Sequence, residues 1–176
     1  AARGGTPLPR LRYERVGAQG RDWGSGATVQ LAVRHPARMN GVHLNFIQRG
    51  YLPPLERLAE PTPAELAYYD ASARWVADEA GYSHMHGTKP QSLAYAFNDS
   101  PAGLAAWIVE KFRTWSDCDG DVERAFSKDT LLTNISIYWL TQTIGSSMRM
   151  YWERGQKPPQ IPAGTRLETP VGFASF

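Results

Sequence analysis

The 176-residue chain has one cysteine, Cys118. That excludes an internal disulfide and any Cys-based metal cluster. Cys118 sits in the polar run SDCDGD, which marks an inert loop residue rather than a reactive thiol. With so little cysteine, a reducing cytoplasm is the simplest compartment. Long apolar runs are missing too: no stretch approaches the roughly 18 residues that a spanning helix needs. The first ten residues, AARGGTPLPR, have no apolar h-region, so they do not read as a signal peptide. Crowded with Gly and Pro and without periodicity, they predict a disordered leader over 1–10. No Lys/Arg-rich run stands out at a formal net charge of +2, so neither nucleic acid nor an anionic membrane is an expected partner. There is no internal repeat, and no low-complexity tract beyond the leader. What is left, 42% hydrophobic and 20% charged, is the composition of an ordinary soluble domain.

Two organisational regimes follow one another. The run YERVGAQG predicts a strand ending at Gly20, and GSGATVQLAVRHP predicts a helix with Ala27, Leu31 and Ala32 on one side, stopped by Pro36. MNGVHLNF then reads as a second buried strand, completing a βαβ pattern of a parallel sheet. Past Phe46 comes a Pro-rich connection. Thr62, Pro63 and Glu65 then read as N-cap, first helical position and capping-box acid of a helix that Gly81 ends. A short helix over KPQSLAYAFND follows. Ser100 and Pro101 open another, with Ala105, Ile108, Val109 and Phe112 on one side. Ser127 caps a long stretch from about Lys128 to Arg154, ended by Gly155. Four helices without an intervening strand are not continued βαβ winding; they predict a helical cap inserted in an α/β core. VGFASF reads as the return to a core strand. The predicted organisation is a leader at 1–10, partial core at 11–47 and 168–176, and a cap at 48–167.

At the first strand's end stands GRDWGS, small residues two before and two after Asp22. This is the outline of a nucleophile elbow, a strained strand-to-helix turn in which Gly20 and Gly24 remove side chains that would clash. The helix that follows points its first N–H groups at the site, where they suit a developing oxyanion. A carboxylate in this position attacks carbon and leaves an ester on the enzyme, chemistry suited to an epoxide or an alkyl halide. The bland alternative is a helix N-cap aspartate followed by Gly-rich packing. An epoxide opens only if its oxygen receives a hydrogen bond or proton, and a phenol with a pKa near 10 can supply it. Eight tyrosines are present, so their number alone selects none.

Three stretches, AQGRDWGS, GYSHMHGTKPQSLAYAFNDSPAGLAAWIVEKFRTW and FSKDTLLTNISIYWLTQTIGSSMRMYWERG, closely resemble the microsomal-type epoxide hydrolases of the α/β-hydrolase superfamily. The resemblance runs from about Tyr13 to Phe176. Its most specific part is Thr88-Lys89-Pro90 followed by Asn98-Asp99-Ser100-Pro101 and Gly103-Leu104-Ala105-Ala106. It implies a partial α/β-hydrolase core (elbow strand, helix, next strand) carrying an all-helical cap, with the family's further N-terminal and C-terminal core strands outside this sequence. Asp22 matches the nucleophile, and the backbone N–H of Trp23 one half of the oxyanion hole, with the Trp23 ring as a pocket wall. Tyr82 and Tyr151 match the two cap tyrosines that grip the epoxide oxygen. The implied reaction converts an apolar or aromatic epoxide to a vicinal diol, with no metal and no organic cofactor. The Thr-Lys-Pro and Asn-Asp-Ser-Pro runs are expected to hold the cap's shape, and His84 and His86 to be packing or surface residues. Arg21 departs from the family's usual Gly.

The same resemblance implies a histidine and an orienting acid for ester hydrolysis, on core loops past VGFASF, and an upstream His-Gly-type loop. His35 and His43, at the elbow helix's end and on the next strand, fit neither part. Weak or no turnover is therefore expected of this chain. Two other readings stay open. One is a haloalkane dehalogenase, which shares the Asp-Trp-Gly elbow but holds its leaving halide with ring N–H donors. The other is a non-catalytic ligand-binding protein or gene fragment.

Overall fold

The computed structural model describes residues 13–47, 55, 58–156, 161 and 165–174. The leader at 1–10 and most of the Pro-rich connection lie outside them. The described chain is α/β, with three parallel strands and seven α-helices. It divides into two compact units, Ala1–Leu66 with Pro159–Phe176, and Ala67–Pro158.

The first unit is built on a sheet of β1 (Val16–Gly20), β2 (Met39–Leu44) and β3 (Val171–Phe173), in that order. Between β1 and β2 runs α1 (Trp23–Arg34), giving the expected βαβ unit. Its core is Ala32, Met39 and Val42, with Val16, Ala18, Leu31 and Leu167 packed around them. The face of α1 that is buried differs from expectation. Ala27 is exposed, whereas Ser25, Gly26, Thr28, Val29 and Ala32 are buried. Small and hydroxyl-bearing residues line this face because the helix lies close against the end of β1. A Cβ on Gly20 would stand 2.4 Å from the Gly24 carbonyl oxygen and 2.5 Å from Thr28 Oγ1.

The helical segments begin with α2 (Pro63–Glu79), opened by the capping box the sequence predicts. The Thr62 N–H donates to Glu65 Oε2 at 2.8 Å and the Glu65 N–H to Thr62 Oγ1 at 3.2 Å. Gly81 does not end that helix in a left-handed cap. It is instead the first residue of α3 (Gly81–Thr88), which carries Tyr82, His84 and His86. Then follow α4 (Pro90–Asp99) and α5 (Pro101–Thr114), each led by its proline, with Ser100 Oγ accepting from the Gly103 N–H at 3.0 Å. The expected long helix after Ser127 is two: α6 (Lys128–Thr141) and α7 (Ile144–Gln156). Gln142, in the left-handed region at φ 53°, breaks it, its N–H donating to the Trp139 carbonyl and that of Thr143 to Tyr138. Gly155 lies inside α7 rather than ending it.

The second unit packs around Phe97, Leu104, Ile135, Ile144 and Met148. Leu104 and Met148 are wholly buried, each contributing on the order of 2–3 kcal/mol by area removed from water. Ala105, Ile108 and Val109 pack against this core from α5, and Phe112 meets Phe126 edge-on at 4.9 Å. Gly145 lets α7 approach α4, since a Cβ there would lie 3.1 Å from that of Ala94. Cys118 is buried with its thiol 3.2 Å from the Arg113 carbonyl oxygen, as befits an inert residue.

Candidate active site

Asp22 joins β1 to α1 at φ 47° and ψ −123°. Positive φ in a residue with a branched polar side chain is held only where the surroundings enforce it, and it concentrates at functional turns. Asp22 occupies the N-cap position of α1, yet its side chain makes no capping bond; the Ser25 hydroxyl donates instead to the Asp22 carbonyl oxygen at 2.7 Å. The bland alternative, a helix-capping aspartate, therefore fails at its defining bond. The strain is enforced from below, where the backbone of the helix's first turn and Thr28 press on Gly20. Gly24 behaves otherwise than expected: nothing lies within 4 Å of a Cβ built there, so only Gly20 is needed sterically. Asp22 is exposed, and Trp23, the first residue of α1, is half-buried. Arg21, also exposed, adds its carbonyl oxygen as an acceptor for the Ser25 N–H at 3.3 Å.

In the helical unit Tyr82 of α3 and Tyr151 of α7 are brought together, ring centroids 5.8 Å apart at 81°. Both are half-buried. Around them lie aromatic residues that motif matching did not select. His86, four residues on from Tyr82 and so on the same face of α3, is 5.5 Å from the Tyr82 ring and 5.0 Å from that of Tyr151. From α5, at spacings of four, come Trp107 against His86, Lys111 with its ammonium 5.5 Å from the Tyr82 ring centre, and Trp115 at 5.3 Å from Tyr82. Glu79 holds this edge, accepting from Trp115 Nε1 at 2.9 Å and pairing with Lys111 at 3.8 Å. The i, i+4, i+8 recurrence of Trp107, Lys111 and Trp115 was the available signal, but it is also what any amphipathic helix shows.

His86 is buried, and its desolvation pushes the imidazole down to a pKa of about 4, so the ring is neutral at neutral pH. His84 is exposed, its carbonyl accepting from Thr88 Oγ1 at 2.7 Å. The Thr88-Lys89-Pro90 and Ser100-Pro101 runs supply the ends and starts of α3, α4 and α5. His35 ends α1 and His43 lies exposed on β2. Among the described residues no group of three or more His, Cys, Asp or Glu side chains is placed to hold a metal ion, and no helix is long and apolar enough to cross a membrane.

No family model matches the chain. Curated relatives match nearly all of it. It is 41% identical over 169 residues to the "Putative epoxide hydrolase" of Stigmatella aurantiaca (strain DW4/3-1), covering 96% of this chain and 37% of that protein. It is 36% identical over 188 residues to "Epoxide hydrolase 1" of Oryctolagus cuniculus, covering 95% and 41%. The chain thus spans about two fifths of the length of these relatives. Among solved structures, the epoxide hydrolase of Aspergillus niger superposes with a TM-score of 0.72 at 27% identity, over 97% of this chain and 42% of the other. Sequence and fold together place the chain among the relatives of the epoxide hydrolases of the α/β-hydrolase fold.

Proposed function

We propose that this chain carries the attacking half of an epoxide hydrolase acting on apolar or aromatic epoxides. An Asp22 carboxylate oxygen attacks an epoxide carbon, the C–O bond of the strained ring breaks, and the released oxygen takes a proton from Tyr82 or Tyr151. The product of this step is a hydroxyalkyl ester of Asp22; attack of water on that ester frees the vicinal diol and restores the carboxylate. The Trp23 N–H serves as one donor to the oxyanion of the second step. No step calls on a metal or organic cofactor, and the lone buried cysteine suits a reducing cytoplasm.

The observation that carries this reading is the backbone of Asp22, held at positive φ at the end of a parallel strand with no capping bond to explain it. The paired phenols favour an epoxide oxygen over a halide as the group received. Mass spectrometry after incubation with styrene oxide is expected to find a hydroxyalkyl adduct on Asp22 and none in Asp22→Asn. Trapping it requires only residues within this sequence. Replacing both tyrosines with Phe is expected to slow adduct formation by roughly a hundredfold or more, the range of a positioned proton donor. An unmodified Asp22 would rule the reading out, and halide release from an alkyl chloride without diol from the epoxide would favour a dehalogenase.

A further inference from the structure

Both ring nitrogens of His86 are buried without a hydrogen-bond partner. The residue is only 7% exposed, and polar atoms left bare at such depth lower stability. Neither nitrogen is reachable by water, which removes the imidazole from any direct role as a base. What the ring does have is contacts on its edges and faces. It meets Tyr82 at 82° and Tyr151 at 75°, while the tyrosines meet each other at 81°, so three rings stand mutually near-perpendicular. Trp107 also lies 5.9 Å from it, and Trp107 stands 5.0 Å from Phe97, a member of the helical core. A line of contacts therefore runs from the core through Phe97, Trp107 and His86 to both phenols. Edge-to-face packing fixes ring planes, and because a phenolic O–H lies in its ring plane, a fixed plane confines the hydroxyl proton to two directions.

We propose that His86 is a positioning residue: a flat ring between the helical core and the two tyrosines, which sets how Tyr82 and Tyr151 present their hydroxyls to one epoxide oxygen. The inference rests on the reading of those tyrosines as the proton-donating pair. Burial supports it by keeping the imidazole neutral, so that no second cation competes with Lys111 for the Tyr82 ring. The nitrogens being bare, the flatness of the ring is what matters.

The test follows the rate of ester formation at Asp22 with styrene oxide under single-turnover conditions, together with the epoxide concentration giving half the maximal rate. His86→Leu, which keeps bulk but not flatness, is expected to slow the step by about ten- to a hundredfold, the scale of small misplacements, with the half-saturating concentration unchanged. His86→Phe is expected to stay within about threefold of the parent, an aromatic ring alone being sufficient to hold the phenols. In a Tyr82→Phe/Tyr151→Phe background, His86→Leu is expected to add nothing. Should His86→Leu fail to give folded protein by circular dichroism, His86→Met, equally without a ring, takes its place with the same expectation. His86→Phe as slow as the Leu variant would overturn the proposal by assigning the effect to the nitrogens. Slowing that adds fully to that of the tyrosine double variant would overturn it by placing the effect elsewhere. A parent that forms no adduct, or a tyrosine double variant as fast as the parent, overturns the underlying reading instead, and the role of His86 falls with it.

Discussion

At φ 47° and ψ −123°, Asp22 bears a backbone cost on the order of 1–3 kcal/mol that a glycine would avoid. The fold tolerates it because Gly20 lets the first turn of α1 press onto the end of β1. A methyl group on Gly20 meets backbone at 2.4 Å, an atom that cannot swing aside. Gly20→Ala is therefore expected to cost about 1–3 kcal/mol in urea unfolding and to abolish the proposed ester formation by displacing Asp22. Gly24→Ala, with open space around its Cβ, is expected within about 0.5 kcal/mol of the parent. Equal losses in the two variants would contradict this account of the elbow. His86 makes a second residue-level prediction. Unfolded, its imidazole titrates near 6.5; folded, near 4. Between those values the unfolded chain binds one more proton than the folded one, so this group's contribution to stability falls as the pH drops from 6.5 toward 4. Urea midpoints at pH 7 and pH 5 are expected to differ less in His86→Phe than in the parent.

The helices show which local rules are written in sequence. Thr62 with Glu65, Ser100 with Pro101, and Ser127 each fix a helix start through chemistry confined to four residues, and each start stands where the sequence puts it. Two hydrogen bonds from Thr62 hold the Glu65 carboxyl below its ordinary pKa, so the box adds stability above pH 4.5 that is lost as acid protonates it. Ser100→Ala removes the acceptor for the Gly103 N–H and is expected to cost about 1 kcal/mol, read as a lowered urea midpoint with an unchanged slope. Helix ends were less legible. The left-handed residue that divides α6 from α7 is Gln142, neither Gly nor Asn, so no composition cue marked it. Gly81, which resembles a C-cap, opens a helix instead, because φ there need not be positive and α3 begins one residue after the turn. Ala27 is exposed for a related reason. Periodicity of apolar residues finds faces packed on side chains, whereas α1 buries Ser25 and Thr28 to approach a backbone. The turn at Asp22 and the two tyrosines are each carried by a short motif, GRDWGS, GYSHMH and RMYWER. The ring of His86, Trp107 and Trp115 is not, since its members come from α3 and α5 and meet only through tertiary packing.

Each of the two compact units has a core of its own, and the tryptophans report on them unequally. Trp23 belongs to the sheet unit, while Trp75, Trp107, Trp115, Trp139 and Trp152 belong to the helical one. Met148, wholly buried among Phe97, Leu104, Ile135 and Ile144, leaves a cavity when cut to alanine, at a cost of about 2–5 kcal/mol. Val42→Ala removes a smaller group from the sheet unit, costing about 1–2 kcal/mol, because fewer buried carbons are lost. With separate cores, Met148→Ala is expected to shift the unfolding transition seen by total tryptophan fluorescence and to leave that of a Trp23-only protein, its other five tryptophans changed to Phe, near its starting midpoint. Val42→Ala is expected to do the reverse. Midpoints moving together in both reporters would mean that the units unfold as one cooperative body.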